Sequence, residues 1–173
     1  MTGTRTKIKW FIPTPKSLEE LKKAYRTLAM RNHPDIKGGS VQAMQEINNE
    51  YDELFAVLKD RHETATGTTY TAKEQTSETP EQFRNIIDKL INLDGVTVEI
   101  VGSWIWLTGN TYTHKEVIKS IGFKWASHKK AWYFHNDDYK KKSSKHFDLD
   151  EIREMYGSQT VQQTRQQIKF EVV

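Results

Sequence analysis

The stretch AYRTLAMRNHPDIKGGS, residues 24–40, contains a helical run that ends at a proline and a pair of glycines. Pro34 forces the residue before it out of the helical region, so the sequence predicts that the helix ends at Asn32 or His33. The two glycines then allow the chain to turn freely. The tripeptide His-Pro-Asp is therefore expected at the exposed tip of a turn between two helices.

Amphipathic helices are predicted on both sides of this turn. Ser17 followed by Glu20 is a capping box, which marks the start of the first helix. Apolar residues then recur at steps of three and four, which places them on one face of each helix. They are Leu18, Leu21, Tyr25 and Leu28 before the turn, and Met44, Ile47, Tyr51, Leu54 and Leu58 after it. Two such helices bury these faces against each other, so we expect an antiparallel helical hairpin.

The segment LEELKKAYRTLAMRNHPD at residues 18–35, with EINNEYDELF at residues 46–55, resembles the J-domain of DnaJ-type cochaperones. In that family the His-Pro-Asp loop and the basic face of the preceding helix bind a DnaK-type (heat-shock protein 70) chaperone and stimulate its ATP hydrolysis. The resemblance implies that Tyr25 and Leu28 lie in the hairpin core. It also implies a set of chaperone-binding residues, namely Lys22, Lys23, Arg26, His33, Pro34 and Asp35.

The physical properties of the loop suit this role, although a structural explanation exists as well. A loop stiffened by Pro34 presents His33 and Asp35 with little loss of entropy, and a basic helix face attracts an acidic partner surface. In the structural alternative, His33 interacts favourably with the helix dipole, Pro34 stops the helix, and the basic face is only solvated. The flanking pattern favours the first interpretation.

The stretch KWFIPTPKS, residues 9–17, departs from the family pattern. J-domains begin with a short helix that crosses the hairpin, whereas Pro13 and Pro15 leave little room for one here. We expect that helix to be truncated or replaced. An apolar plug would then cover the open side of the hairpin, formed by Trp10, Phe11 and Ile12.

Two further departures bear on the partner. Thr27 stands where the family often has a basic residue, and Asn32 stands where it often has an aromatic one, which would weaken coupling to a general DnaK-type chaperone. The resemblance to the family associates such a reduced J-domain with specialised cochaperones that a phage or a plasmid encodes. A decoy that occupies a host chaperone without stimulating it is a further alternative.

Composition narrows the class of protein. The chain has 173 residues, 36 % of them apolar, no cysteine, and a formal net charge of +3, which is too small to require an anionic partner. Without cysteine there are no disulfides and no thiolate metal sites. The N-terminus lacks the apolar region of a signal peptide, and no window approaches the roughly 18 apolar residues of a membrane span. We therefore expect a cytoplasmic protein that does not enter a membrane.

A threonine-rich stretch, TATGTTYTAKEQTSETP, divides the chain into two modules. The sequence predicts a J-domain-like helical module at 1–63, a flexible linker at 64–80, an aromatic-rich α+β domain at 81–157 and a polar tail at 158–173.

Helical and alternating segments mix in the second module. Helices are predicted at EQFRNIIDKLINL, HKEVIKSIG and DLDEIREMYG. VTVEIVGSWIWLTG and FKWASHKKAWYF predict two β-hairpins, which turn at Gly102-Ser103 and at 127–130. The order α-β-β-α-β-β-α predicts an antiparallel sheet packed against helices, so the whole chain is expected to be α+β.

The strands of this module carry aromatic residues on both faces. Alternation places Trp104 and Trp106 on one face and Ile105 and Leu107 on the other. If helices cover only one face, the other is an aromatic platform near the lysine-rich run at 139–146. Such a platform would bind an unfolded client or, through base stacking and phosphate attraction, nucleic acid; alternatively, the aromatic residues only fill a small core. The candidate binding residues are Trp104, Trp106, Lys124, Lys129, Lys130 and Trp132.

Residue types with catalytic chemistry are scattered. The histidines form no His-Glu-x-x-His pattern, and HNDD at 135–138 is a hard-metal or nuclease-like cluster only in composition. No phosphate-binding glycine loop and no serine nucleophile elbow is present. We therefore expect no enzyme activity, no metal and no cofactor, with ATP hydrolysis left to the chaperone. The alternative function is a nucleic-acid-binding protein of a phage or mobile element, whose helical hairpin is structural or a chaperone decoy.

Overall fold

The computed structural model describes residues 8–64, 66–71, 77–136 and 147–156. A helical hairpin is followed by antiparallel sheets and further helices, which confirms the predicted α+β class. The chain divides into two compact units, Met1–Asp88 and Lys89–Val173.

The first unit contains two long helices, a small sheet and most of a third helix. Helices α1, α2 and α3 span Leu18–Asn32, Val41–Leu58 and Pro80–Ile91, and strands β1 and β2 span Arg61–Glu63 and Thr69–Thr71. Helix α1 begins as predicted, because Ser17 Oγ accepts a hydrogen bond from the Glu20 N–H at 3.2 Å. The Glu20 carboxylate accepts the N–H of Lys16 rather than that of Ser17, so only half of the predicted capping box forms.

The apolar faces of α1 and α2 form the core of the hairpin. Tyr51 and Leu58 are buried on the predicted face of α2, but Leu54 is only partly buried and Phe55 lies in the core instead. At 100° per residue, positions 54 and 55 both lie about 50° from the centre of this face, so helical spacing alone does not choose between them. The Phe55 ring packs 5.9 Å from the Tyr51 ring. On α1, Leu28 is likewise only partly buried.

Helix α3 packs against this hairpin through the aromatic ring of Phe83. Phe83 has no exposed surface, and its ring lies 5.9 Å from that of Tyr51 and 6.0 Å from that of Tyr25. The sequence predicts α3 as the first helix of the second domain, whereas its residues up to Asp88 group with the hairpin.

A two-stranded antiparallel sheet follows α2, and its second strand lies inside the predicted linker. Strands β1 and β2 pair with His62 opposite Tyr70. The Glu19 carboxylate at the start of α1 lies 2.6 Å from His62 Nδ1 and accepts the N–H of Glu63 at 3.1 Å. Regular structure therefore extends into the threonine-rich stretch and is fixed to α1. The domain limits at 63, 80 and 157 stay predictions.

The segment before α1 covers one side of the hairpin. Its described residues form no helix. The Glu50 carboxylate on α2 accepts the backbone N–H groups of Lys9, Trp10 and Phe11, at 2.9, 2.8 and 3.4 Å. Phe11 is buried, but Ile12 is exposed. The expected apolar plug therefore consists of Trp10 and Phe11 without Ile12.

The second unit is built on a four-stranded antiparallel sheet in the order β3-β4-β6-β5. Both predicted hairpins form: Gly102-Ser103 joins β3 to β4, and a short 3-10 turn that begins at Ser127 joins β5 to β6. The strands span Val96–Val101, Trp104–Gly109, Lys124–Ala126 and Ala131–Phe134, and helices α4 and α5 span Lys115–Ile121 and Leu149–Tyr156.

Ile105 and Leu107 are buried on one face of this sheet, and Trp106 lies in a small core on the opposite face. It is 4 % exposed and clusters with Val101, Ala131 and Leu149. Leu149 is the first residue of α5, so this helix covers the sheet around Trp106. Apolar side chains are therefore buried on both faces at this point.

A buried ion pair fixes α5 to the sheet. The Glu99 side chain on β3 has no exposed surface and accepts two hydrogen bonds from the Arg153 guanidinium, at 2.8 and 2.7 Å. These bonds raise the pKa of Arg153 above its usual value, against the opposing effect of burial. The charge of Glu99 is thus compensated inside the fold.

Replacing Glu50 with alanine should destabilise the first unit, because three backbone N–H groups lose their shared acceptor. We expect the free energy of unfolding to fall by about 2 to 4 kcal/mol, since a hydrogen bond to a charged group contributes about 1.5–3 kcal/mol and water replaces part of the loss. Chemical denaturation followed by far-ultraviolet circular dichroism, to which helices contribute most, measures this change. Gln45→Ala, at an exposed position of the same helix, should change it by less than about 0.5 kcal/mol. Equal effects of the two substitutions would contradict the role assigned to Glu50.

Trp106→Ala should lower the free energy of unfolding of the second unit by about 3 to 5 kcal/mol, because it leaves a cavity in a packed cluster. The matched control is Trp125→Ala, since the Trp125 side chain is 49 % exposed and its loss should cost far less. Thermal and chemical unfolding of both variants measure the difference. A melting temperature left unchanged by Trp106→Ala would show that this face is open rather than packed.

Candidate functional site

The His-Pro-Asp tripeptide forms the turn after α1. His33 follows the last helical residue and has an extended backbone, with ψ 136°. The Ile36 N–H donates to the His33 carbonyl at 2.9 Å, and the Asp35 N–H donates to His33 Nδ1 at 3.2 Å. Pro34 and Asp35 are exposed. The loop is therefore held in shape by its own hydrogen bonds.

Gly39 closes the turn through a close approach that excludes any side chain. A Cβ atom at this position would lie 1.8 Å from the carbonyl oxygen of His33. The next N–H, that of Ser40, donates to the Asn32 carbonyl at 3.0 Å, and Ser40 Oγ caps α2 by accepting the Ala43 N–H. This approach fixes where α2 begins relative to the end of α1.

The His33 imidazole lies between two carboxylates. Nδ1 is 3.6 Å from Asp35 Oδ2, and Nε2 is 3.7 Å from Asp88 Oδ1 near the end of α3. Only 13 % of the His33 side chain is exposed. Partial burial raises the pKa of the Asp88 carboxyl above its usual value, while the charge of His33 acts in the opposite direction. The imidazole expected at an exposed tip is thus largely enclosed by residues of the chain itself.

Two of the basic residues predicted to bind a chaperone are buried. Lys22 is 1 % exposed and Arg26 is 3 % exposed, whereas Lys23 is partly exposed. The Lys22 ammonium forms an ion pair with Glu78 and lies 5.1 Å from the centre of the Phe83 ring. Burial lowers the pKa of the Arg26 guanidinium to about 10, which leaves it protonated at neutral pH. The basic face is therefore covered where it meets the segment that leads into α3.

Sequence reasoning missed the residues that cover this face. Glu78, Phe83 and Asp88 carry no local signal of contact with α1. A signal for the start of α3 was present, because Thr79 and Gln82 form a capping box: the Gln82 N–H donates to Thr79 Oγ1 at 3.3 Å and the Thr79 N–H donates to Gln82 Oε1 at 3.0 Å. That motif marks where a helix begins but not the surface on which it packs.

The structure separates the binding residues predicted in the second module. Strand pairing places Trp104, Trp106 and Lys124 on one face of the sheet and Trp132 on the other. Trp106 and Trp132 are both buried. The Lys129 ammonium lies 6.0 Å from the centre of the Trp106 ring. These residues therefore do not form one continuous surface.

Trp104 belongs to a partly exposed aromatic group at the start of β4. Its ring lies 4.5 Å from the His135 ring and 5.5 Å from the Tyr133 ring. Ser103 Oγ lies within hydrogen-bond distance of His135 Nε2, at 3.1 Å. Beside this group, the buried Trp106 Nε1 has no hydrogen-bond partner among the residues that the structure describes.

The hairpin of β5 and β6 presents the most exposed tryptophan described in this unit. Half of the Trp125 side chain is exposed, and its ring lies 5.4 Å from that of Trp132. Lys124 and Lys130 on the same hairpin are exposed as well. Trp125 was not among the predicted binding residues, although its place after Lys124 and a few residues before Lys129 and Lys130 is visible in the sequence. The end position of β5 in the sheet explains its exposure.

Several sequence features are not brought together or lie outside the described residues. Within 8–64, 66–71, 77–136 and 147–156, no group of three acidic or histidine side chains is arranged to hold a metal ion. In the same part of the chain, no helix combines the length and apolar character needed to cross a membrane. The aspartates of HNDD, the lysine-rich run at 139–146 and the tail at 158–173 lie outside the described residues.

Comparison with known proteins finds a local similarity. The chain is 46 % identical over 43 residues to "Chaperone protein dnaJ A6" of Oryza sativa subsp. japonica, and the match covers 25 % of this chain and 10 % of the rice protein. No protein-family model matches the chain, and no solved structure matches it. The chain is therefore similar to a DnaJ protein over a quarter of its length, which gives partial support to the J-domain resemblance.

Proposed function

We propose that the chain is a J-domain cochaperone, which binds a DnaK-type (heat-shock protein 70) chaperone and stimulates its ATP hydrolysis. One observation carries the proposal: in a chain with local similarity to a DnaJ protein, the His-Pro-Asp tripeptide forms the turn of a helical hairpin. The chaperone-binding residues would be those that the resemblance implies, on α1 and in this turn.

The loop is suited to a weak, charge-dependent contact. Asp35 is 59 % exposed and follows Pro34, whose ring restricts the backbone. Because the loop is already ordered by internal hydrogen bonds, little conformational entropy is lost when a partner binds. Lys23 adds positive charge at the accessible part of α1 and would steer the loop towards an acidic surface. Such binding should weaken as the salt concentration rises.

In this proposal the chain is not itself an enzyme. ATP binding and hydrolysis belong to the chaperone, and the chain needs no metal or cofactor for the contact. The second unit would bring a client or another target to the chaperone in the cytoplasm. The aromatic group around Trp104 is the surface we assign to that client, because it is apolar and partly exposed.

Steady-state ATP hydrolysis by a bacterial DnaK-type chaperone tests the proposal. Intact protein should stimulate hydrolysis, and His33→Gln should reduce this stimulation by about tenfold or more, because losing a central contact of an interface costs at least about 1.4 kcal/mol. His128→Gln is the matched control, since it changes an exposed histidine of the second unit. Circular dichroism establishes that both variants are folded.

The contrary outcomes are distinct. If neither the parent nor His128→Gln stimulates hydrolysis, and the chaperone of the protein's own host gives the same result, the cochaperone function is rejected. Binding to the chaperone without stimulation would instead identify a decoy. Equal stimulation by the parent and His33→Gln would reject the role of the tripeptide.

A second candidate function, single-stranded nucleic-acid binding by a protein of a phage or mobile element, rests on the exposed hairpin of β5 and β6. Trp125 offers a ring face for base stacking, and the exposed Lys130 at the turn of the same hairpin offers a charge for phosphate contacts. Stacking contributes about 1 to 3 kcal/mol per base, and phosphate contacts are lost as salt is raised.

Retention on a single-stranded DNA column measures this second function. Under this hypothesis the parent elutes at a defined salt concentration, and Lys129→Glu with Lys130→Glu should abolish retention at about 50 mM salt, because two favourable charges become repulsive. Trp125→Ala should weaken retention without removing its salt dependence. Unchanged elution of the lysine variant would exclude this hairpin as the nucleic-acid site.

A further inference from the structure

The segment from Ser77 to Asp88, which we call the cover segment, lies on the same face of the hairpin that the proposed chaperone contact requires. We infer that the cover segment is an intramolecular ligand of this face and that it competes with the chaperone for it. The inference rests on the proposed function and adds a regulatory step to it, because the chaperone gains access only when the cover segment moves away.

The cover segment contacts α1 and the turn after it near both of its ends and at Phe83 between them. Glu78 pairs with Lys22 near the start of α1, and Asp88 lies beside His33 after its end. Position 33 lies 11 steps after position 22, which corresponds to about 16 Å along a helix. The helical part of the cover segment, from position 80 to position 88, rises about 12 Å, and the non-helical Glu78 and Thr79 precede it, so the two stretches are of similar length. Phe83, midway between these contacts, packs against Tyr25. The cover segment therefore runs alongside α1 in the same chain direction.

The burial of Lys22 under Glu78 and Phe83 makes the two interactions mutually exclusive, and Arg26 on the same helix is buried as well. At 1 % and 3 % exposure, neither side chain offers a surface on which another protein could form a contact. A chaperone that uses these residues must first remove the atoms that cover them. Lys23, Pro34 and Asp35 remain accessible, so a first encounter is possible before the cover segment leaves.

The charges of the cover segment imitate those expected of a partner. A basic face with a histidine at its end attracts an acidic surface. Glu78 and Asp88 place carboxylates at the two ends of this face, beside Lys22 and His33. The same complementarity that recruits the chaperone therefore holds the cover segment in place.

Two features of the bound cover segment favour its replacement by a partner protein. The Lys22–Glu78 pair is almost completely buried, and the attraction in such a pair is largely offset by the hydration that both charges lose. The half-exposed Asp88 carboxyl has a raised pKa because burial disfavours its charge. Release returns hydration to these charges, which reduces the net free energy of opening. Phe83 supplies the apolar part of the contact that a partner must replace.

An ion pair outside the proposed binding face offers a way to control the cover segment. Arg84 in α3 pairs with the partly exposed Asp52 in α2, and neither belongs to the proposed chaperone-binding residues. Arg84→Glu makes this contact repulsive and should open the cover segment. Adding Asp52→Arg to Arg84→Glu restores a pair of opposite sign and should close it again. The swap is the matched control, because it carries the same change at Arg84.

Opening of the cover segment is measured through the stimulation of chaperone ATP hydrolysis over a range of concentrations of each variant. Arg84→Glu should reach half-maximal stimulation at a concentration about threefold to tenfold lower than the parent, because a larger fraction of molecules is competent to bind. The swapped variant should return towards the value of the parent. Circular dichroism and thermal melting establish that the hairpin remains folded in each variant.

A reversible lock provides a second measurement that does not depend on the charge reversal. The chain has no cysteine, so Asp52→Cys with Arg84→Cys introduces the only thiols, which a short bis-methanethiosulfonate reagent can join. Joined protein should fail to stimulate the chaperone, and reducing the link with dithiothreitol should restore stimulation in the same sample. The single variant Arg84→Cys, treated in the same way, controls for the reagent.

The outcomes separate this inference from the function on which it rests. Two results would reject competition by the cover segment while leaving the cochaperone function intact. One is full stimulation by the locked protein, and the other is an equal half-maximal concentration for the parent, Arg84→Glu and the swapped variant. Absence of stimulation by the parent, Arg84→Glu and the reduced cysteine variant, with the chaperone of the protein's own host, would overturn the cochaperone function and the inference together.

Discussion

The attachment of α3 to the helical hairpin depends on the packing of the Phe83 ring against Tyr25 and Tyr51. Two helices that pack as a hairpin share one interface, and their apolar faces are wider than that interface, so each leaves part of its face open. Phe83 fills this opening and has no exposed surface. Full burial of such a side chain contributes about 1.5 to 3 kcal/mol. A third helix is thereby joined to both members of the hairpin at one point.

Two buried carboxylates fix the segments that lie over the hairpin, and they do so by different means. Glu50 accepts backbone N–H groups, so its contact depends little on which side chains stand at the three positions it binds. Glu78 pairs with the charged side chain of Lys22, a contact that water or another carboxylate can replace. The segment before α1 is therefore held through the backbone, whereas the ion pair of the cover segment at Glu78 is a contact that a competitor can replace.

Local patterns in the sequence predicted the elements better than the surfaces they share. The end of α1 follows from Pro34, and the hairpin at Gly102-Ser103 follows from two alternating runs around a short turn, because neighbouring residues decide both. The burial of Lys22 depends on Glu78, which lies 56 residues further along the chain. No periodicity within α1 carries that information.

The second unit shows the same limit. Alternation placed Trp104 and Trp106 on one face and Ile105 and Leu107 on the other, but it did not indicate which face a residue of another strand shares. Trp132 pairs with Leu107 and so lies on the face opposite to Trp106, with which it was grouped. Nor did alternation indicate that α5 covers the face of Trp106, since that depends on where a helix more than forty residues later in the chain docks. The candidate site thus followed from residue type, while its accessibility required the tertiary structure.

The close approach of Gly39 to His33 closes the His-Pro-Asp turn into a hydrogen-bonded ring of residues 32–40. The hydrogen bond from the Ser40 N–H to the Asn32 carbonyl joins the two ends of the turn, and the residues between them lie outside the helix-to-helix interface. Changes at Ile36, Lys37 or Gly38 should consequently alter the shape of the tip without moving α2. Specificity for a partner can therefore evolve in this ring while the packing of the helices stays constant.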